Sequence, residues 1–596
     1  MAHDSIVLKF GSSVLRSAAD LPAAVHEIYS WYRRGWRVVA IVSAIGNSTE
    51  ALLRDAHAFC AEPEPSATAE LLATGERHSA ALLGIALDRA GVASRVVDPR
   101  EIGLQTQGTV LDSEAVGVDR GRIEALLDEF PVVVVPGFFG YDSSGRLHLL
   151  GRGGSDLTAV YLANALGTRR CRLVKDVDGV YERDPALSAP APSRRFVTMG
   201  YAEAVERATQ LIQPKAVRFL ERFSASAEVA AVAHPYETVV GPLARELTEA
   251  AKPAPLSVLI LGLGTVGLGV HQRLSAMPEH FRVAGILVRD RAQHAAAGIP
   301  SELLHSSPDS LVDLRPDIVV DALPGVQPSQ SLVRYYLMHG AHVVSANKAL
   351  IAEAGPELTA IAQRNGVALC YSAAVGGSAP MIEAVRRAAS ADEVQSIAGI
   401  LNGTCNYVLD RCTDGLLLNE AVRAAQACGF AEVDPSNDLL GHDAARKLSI
   451  LACEAFGHEL DAIEVDPLNT AVLLRNQSTQ RENQTLRVVA RAWKLGNKYF
   501  GQIRLEAVPT DDPFAQTRNE WNRLRITRAN GADITVSGRG AGRWPTTEAV
   551  IADLLQICAQ HAAAAQTRAE ARNDTSIDYP IDTRPARDTT TRQSHG

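Results

Sequence analysis

Aromatic residues are scarce in this chain, 5% of 596 positions, and no apolar run approaches the roughly 20 residues that a membrane helix needs. The longest apolar stretches, such as 131 to 140, fall far short, so no membrane span is expected. Eight cysteines are scattered without the paired spacing of a metal site or a disulfide framework, and reduced thiols in a cytoplasm are the default. The opening MAHDSIVLKF lacks a basic region followed by a long apolar core, so no secretion signal is expected. Positive charge is not in excess either. A formal net charge of −9 argues against nucleic acid as a main partner. What remains is ordinary soluble composition, 46% apolar and 21% charged, in a chain too long for one hydrophobic core.

The stretch from Asn402 to Lys447 is the most informative. It opens with Asn-Gly-Thr-Cys-Asn-Tyr and holds Glu432, Asp438, Asp443 and Lys447, three carboxylates and one ammonium suited to a small zwitterion. Asp443 and Lys447 stand four apart in an apolar-periodic run, so they share one helix face. Taken alone, that is a solvated ion pair worth about 0.2 to 0.5 kcal/mol. Upstream, LSVLILGLGTVGLG runs an apolar strand into Gly262, Gly264 and Gly267, with Thr265 and Val266 opening a helix. Glycines there give a tight turn, a close approach to pyrophosphate and an anion-attracting helix N-terminus. The next apolar run, 281 to 288, ends at Arg289 rather than at a lone acid, which favours NADP and leaves NAD open.

With Ser-Ala-Asn-Lys ending at Lys348 and Ala-Ala-Val-Gly-Gly spanning Val375 and Gly377, this order of motifs resembles homoserine dehydrogenase over about 310 residues. The resemblance implies hydride transfer between NAD(P)H and aspartate 4-semialdehyde, giving homoserine. It places Lys447 as proton donor and acceptor, Lys348 as a second lysine beside the cofactor, and Glu432, Asp438 and Asp443 on the substrate. Gly429 and Gly540 fall in segments that line the cofactor. A lysine acting as acid near neutral pH wants its proton affinity lowered, and Lys348 is a candidate second cation for that. Relatives hold sodium with carbonyls matching Val375 and Gly377 plus an oxygen-bearing side chain, where Ser372 stands here. That leaves a sodium ion open.

The amino-terminal third carries a separate pattern. A short apolar strand enters Lys9-Phe10-Gly11-Ser12-Ser13, and amides of such a turn beside a lysine suit phosphate oxygens. Ser43 follows a strand, Glu76 lies on an expected helix, GRGGSD carries Arg152 and Asp156 to a helix N-terminus, and DVDGVY carries Asp178. Over about 230 residues this order resembles the catalytic domain of aspartate kinase, an amino-acid kinase fold. The resemblance implies that Lys9 and Gly11 meet the transferred phosphate, that Ser43, Glu76 and Arg152 take aspartate, and that Asp178 lies near ATP. Magnesium would accompany the ATP, with no dedicated protein cage expected. Two departures stand out: the phosphate loop has one glycine fewer than usual, and Gln-Leu-Ile-Gln-Pro at 210 to 214 replaces a lysine-bearing segment. Lys215 is the nearest substitute.

Alternation of elements predicts an α/β chain. Residues 1–240 form the kinase-like domain, a mostly parallel sheet; 241–255 a linker; 256–390 a Rossmann domain; 391–560 an α+β substrate and dimerisation domain; and 561–596 a flexible tail. Between the halves there is no room for the paired ACT regulatory modules of related enzymes, so feedback inhibition by threonine or lysine is expected to be weak or absent. The function expected is a cytoplasmic homo-oligomer, dimer or tetramer, joining both activities in threonine and methionine biosynthesis. The competing reading keeps the dehydrogenase and makes the front domain an inert binding or assembly module. A third makes it a dehydrogenase of another semialdehyde.

Overall fold

The computed structural model describes residues 4–184, 193–249, 254–478 and 480–574. In the first sheet the strands Ser94–Val96, Val132–Pro136, Arg37–Val42, Ser5–Phe10, Arg170–Lys175 and Ala227–Ala231 lie side by side, all parallel. Glu237–Val240, Arg194–Met199 and Glu246–Glu249 extend it to nine strands. Strand Ser5–Phe10 sends Val7 into one core and Ile6, Leu8 and Phe10 into another. That is why it reads as a continuous apolar run. Helices α1 (Leu21–Arg33) and α2 (Pro65–Arg89) cover one face, and α3 (Gly154–Leu166) covers the other.

A second sheet holds six parallel strands in the 3-2-1-4-5-6 order of a Rossmann fold, with Leu256–Leu261 central and α4 (Thr265–Ser275) directly after it. The third sheet is mostly antiparallel and runs from Ala462–Val465 to Asp533–Arg539. Helices α5 (Met381–Ala391) and α6 (His442–Phe456) pack on it. The apolar face of α5 therefore joins the α+β layer, on the other side of the boundary expected near 390. A fourth, small sheet of four strands sits in the front domain.

Two other expected boundaries move. Glu246–Glu249, read as linker, is a strand paired with Arg194–Met199. Helix α7 (Arg543–Asp574) carries regular structure past 561, where a tail was expected; residues 575–596 lie outside the described residues. Its Ala549, Val550, Ile551 and Leu554 pack into the Rossmann core, while Ala552 reaches the core of the front domain. One helix thus seals both halves. No helix among the described residues is long and apolar enough to cross a membrane.

Candidate functional site

Gly441 caps the start of α6, and its φ of +79° and lack of room for a Cβ (2.6 Å from Val465) suit only glycine. Asp443 follows in the first turn, where the helix dipole favours an anion. Lys447 lies one turn on, its Nζ 2.8 Å from Asp443 Oδ2, with the two residues 5% and 3% exposed. The pair is buried, not the solvated surface pair that spacing alone allows. Lys447 Nζ also donates to Leu401 O at 2.7 Å, and Lys348 at the start of helix Lys348–Arg364 bonds the other oxygen of Asp443. Burial works to raise the Asp443 pKa, yet the two ammoniums hold it well below the usual carboxylate range. Lys348 therefore does not face Lys447 as a bare second cation; Asp443 bridges them.

Asn402 completes the cluster. It caps helix Gly403–Thr413, and its Nδ2 donates to Asp438 Oδ1 at 2.7 Å and to Asp443 Oδ2 at 2.9 Å. Lys348, Asn402, Gly429, Glu432, Asp438, Asp443 and Lys447 together line a cavity of about 490 Å³. Glu432 is exposed at its rim. Gly540 does not line it; a Cβ there would strike Asn522 at 2.3 Å, and Asn522 donates to Leu401 O at 2.9 Å, the carbonyl that also holds Lys447. Asn402 and Asn522 were not assigned roles from the sequence. Only the cap spacing of Asn402 gave a local signal.

The glycine turn before α4 fits a dinucleotide. Gly262 has φ +93° and a Cβ would lie 2.9 Å from Ala322 O, Gly267 would bring a Cβ 2.0 Å from Gly262 O, and Gly264 has nothing within 4 Å. Two glycines thus hold a tight crossing and the third leaves open space at a helix N-terminus with no side-chain cap. Thr265 and Val266 form the first turn of α4. Arg289 is exposed after strand Phe281–Leu287, whereas Asp290 caps the next helix by accepting from Gln293 N at 3.0 Å.

In the front domain, Lys9 Nζ lies 2.6 Å and Lys175 Nζ 3.4 Å from Asp156, which opens α3. Burial opposes the charge on Asp156, but the lysines hold its pKa down at about 2. Burial, then the Lys9 charge, lowers Lys175 to about 8. A Cβ at Gly11 would come within 2.8 Å of Lys9 Nζ. Glu76 accepts from Ala44 N, next to Ser43, at 3.2 Å; its other oxygen is buried without a hydrogen bond, and burial pushes its pKa up to about 7. Arg152 and Asp178 are not among these contacts. Arg152 is exposed beside Gln213 and Lys215 on a separate cavity of about 1200 Å³, and Asp178 accepts from Tyr181 at 2.8 Å. Lys215, the expected substitute for a nucleotide lysine, is held by Asp112 at 2.8 Å, Ser113 O at 2.7 Å and Leu150 O at 2.9 Å.

The halves meet through buried charge. Arg33 of α1 pairs with Asp553 of α7 at 2.6 Å and Glu383 of α5 at 2.9 Å, and its Nη2 donates to Ser372 Oγ at 3.3 Å. Ser372 Oγ itself donates to Asp553 at 2.8 Å. The side chain expected to complete a sodium site is thus engaged with a carboxylate and a guanidinium.

Comparison with known proteins agrees with this architecture. The family model "Homoserine dehydrogenase" matches residues 380–555, "Homoserine dehydrogenase, NAD binding domain" matches 262–372, and "Amino acid kinase family" matches 4–230. The chain is 34% identical over 313 residues to the homoserine dehydrogenase of Synechocystis sp., covering 50% of this chain and 72% of that protein. It is 32% identical over 308 residues to the NAD(+)-dependent homoserine dehydrogenase of Pseudomonas canavaninivorans, covering 50% and 86%. A solved homoserine dehydrogenase from Thiobacillus denitrificans shares 32% identity over 52% of this chain and 74% of that one, with a TM-score of 0.48. The chain belongs to the homoserine dehydrogenase family and carries an amino acid kinase domain ahead of its nicotinamide-cofactor-binding and catalytic domains.

Proposed function

We propose that the cavity around Lys447 interconverts homoserine and aspartate 4-semialdehyde with NADP, and that the front domain phosphorylates aspartate with ATP and magnesium. The observation that carries the first part is a buried ammonium held by Asp443 and Leu401 O in a cavity lined by charges of both signs, as a zwitterionic amino acid requires. Gly262, Gly264 and Gly267 would hold the pyrophosphate, and Arg289 would take a 2′-phosphate, Asp290 being engaged as a cap. Bound nicotinamide supplies the hydride to the aldehyde carbon.

Reduction leaves an electron pair on the carbonyl oxygen as the carbon gains hydride. Lys447 Nζ stabilises that oxyanion and donates the proton that makes the hydroxyl; oxidation returns the proton to the same nitrogen. Asp443 fixes where the ammonium points, and Asn402 ties Asp443 to Asp438, so both carboxylates keep their spacing. Glu432 and Asp438 take the substrate ammonium. Sodium does not fit well at Val375 and Gly377, because the Ser372 oxygen is already bonded to Asp553 and Arg33.

In the front domain, Lys9 and Lys175 would meet phosphate oxygens, Gly11 leaves room for Lys9, and Glu76 would accept the aspartate ammonium. The inert alternative draws on one observation: the tethered Lys215 leaves no lysine free in the 210–215 segment. The α+β domain is proposed to carry the subunit contact, and neither activity is expected to respond strongly to threonine or lysine. The test is a pair of assays on the full chain, homoserine oxidation with NADP and with NAD, and hydroxamate trapping of aspartyl phosphate. ATP-dependent hydroxamate that disappears in Lys9→Ala supports the bifunctional reading. Its absence from the wild type leaves the dehydrogenase alone, and failure to oxidise homoserine overturns the first part.

A further inference from the structure

The dehydrogenase cavity is not built from the dehydrogenase half alone. Arg89, the last residue of α2 in the front domain, lines it together with Arg543 and Trp544 of α7. Its guanidinium lies 4.9 Å from the centre of the Trp544 indole, and that of Arg543 lies 4.8 Å from the same ring. The turn after α2 is pinned to the rear half. Gly91 O accepts from Ser378 Oγ at 2.8 Å and from Arg539 N at 3.3 Å, and a Cβ on Gly91 would come within 2.4 Å of Ser378 Oγ. Asp88 pairs with Arg539 at 2.9 Å. The end of α2 therefore sits in one place, and Arg89 with it.

Arg89 and Arg543 differ from the other cations that line the cavity. Lys348 and Lys447 are both bonded to Asp443, and Arg539 is matched by Asp88 and by Glu520 at 3.0 Å. Among the described residues neither Arg89 nor Arg543 forms an ion pair; Arg543 donates to Gln272 at 2.8 Å and its Nε is buried without a hydrogen bond. Glu548, whose carboxylate feels the Arg89 charge, is already bonded to His26 at 2.6 Å. Two unmatched guanidiniums against one indole repel each other, and an anion between or beside them removes that cost.

We propose that Arg89 is a binding residue contributed by the front domain to the dehydrogenase, taking an oxyanion of the bound reactants, either the amino-acid α-carboxylate or a phosphate of the dinucleotide. The cavity would then match a zwitterion at both ends, carboxylates for its ammonium and guanidiniums for its carboxylate. This rests on the assignment of the Lys447 cavity as the reactant site, and it makes the front domain part of that site whether or not it transfers phosphate.

The test is steady-state homoserine oxidation by the full chain carrying Arg89→Ala, Arg89→Lys or Lys447→Ala, with KM measured for each substrate at saturation of the other. Arg89→Ala is expected to raise one KM about tenfold with kcat within about twofold, and Arg89→Lys to recover part of it. A rise for homoserine identifies the carboxylate as the ligand, and a rise for the dinucleotide identifies a phosphate. Unaltered KM values for both, in a variant whose unfolding temperature equals the wild type's, overturn the proposal, as does a loss confined to kcat. A wild-type kcat in Lys447→Ala sinks the site assignment itself, which keeps the two failures apart.

Discussion

Each half of the chain contains one buried aspartate between two lysines, and the two clusters are built differently. In front, Asp156 meets Lys9 and Lys175, which stand at the carboxyl ends of two adjacent parallel strands and are 7% and 9% exposed at the side chain. In the rear, Asp443 meets Lys447 of its own helix, 6% exposed, and Lys348 from the Rossmann half, 41% exposed. The two front lysines belong to adjacent strands of one sheet, with Asp156 in the first turn of α3 against them, so the lysine spacing is as rigid as the strand register. The rear triad spans two layers, and one lysine stays wet enough to exchange Asp443 for a ligand. A rigid cationic pair suits phosphate oxygens, whereas one fixed and one open ammonium suit a site that a cofactor and a substrate enter separately.

Removing the fixed ammonium should have the largest effect. Lys447→Ala is expected to lower kcat for homoserine oxidation by about 10²- to 10⁴-fold, while aspartyl hydroxamate formation is untouched. Equal losses in both assays would mean that the clusters are not independent.

Charge removal at the two aspartates comes next. Asp156→Asn leaves two buried ammoniums unpaired and should cost about 3–5 kcal/mol in urea unfolding of the front domain. Asp443→Asn should cost clearly less, because Lys348 can turn to water. Equal costs would erase the distinction between a rigid and an open triad.

The smallest effect is a pH dependence confined to the front cluster. Glu76, raised to about 7 from 4.5, holds its proton more tightly in the folded state. Its protonated form therefore favours folding below pH 4.5, and that contribution is lost as pH rises through about 7. Only the ionised form pairs with an ammonium, so aspartate should bind several-fold more tightly at about pH 8 than at about pH 6, and Glu76→Gln should flatten the profile. A profile unchanged by that substitution would remove Glu76 from the aspartate site.

Local patterns carried most of the layout. The apolar run into Gly262, Gly264 and Gly267 specified strand, turn and helix because Gly262 takes a positive φ and Gly267 crosses close over Gly262, both local demands. The four-residue spacing of Asp443 and Lys447 placed them on one face for the same reason. Burial was not legible: nothing near Lys447 in the chain distinguishes a solvated pair from a buried one whose ammonium also donates to Leu401 O. Nor was Lys215's engagement, since its partners lie at 112, 113 and 150. The continuation of α7 past 561 was not legible because residues 561–574, HAAAAQTRAEARND, carry no large apolar side chain and so no apolar stripe.

By itself the sequence determined which chemical groups are present, the order of the three domains, and the turns whose positive φ calls for glycine, since these depend on neighbours a few residues away. Tertiary structure alone decided that Asp443 lies between lysines from two layers, that Arg33 stands beside Ser372, and that Arg89 reaches the cavity of the other half. Contacts of this kind join residues hundreds of positions apart, 520 in the case of Arg33 and Asp553. They arise from the packing of whole helices, whose placement depends on the summed burial of many side chains rather than on any local pattern.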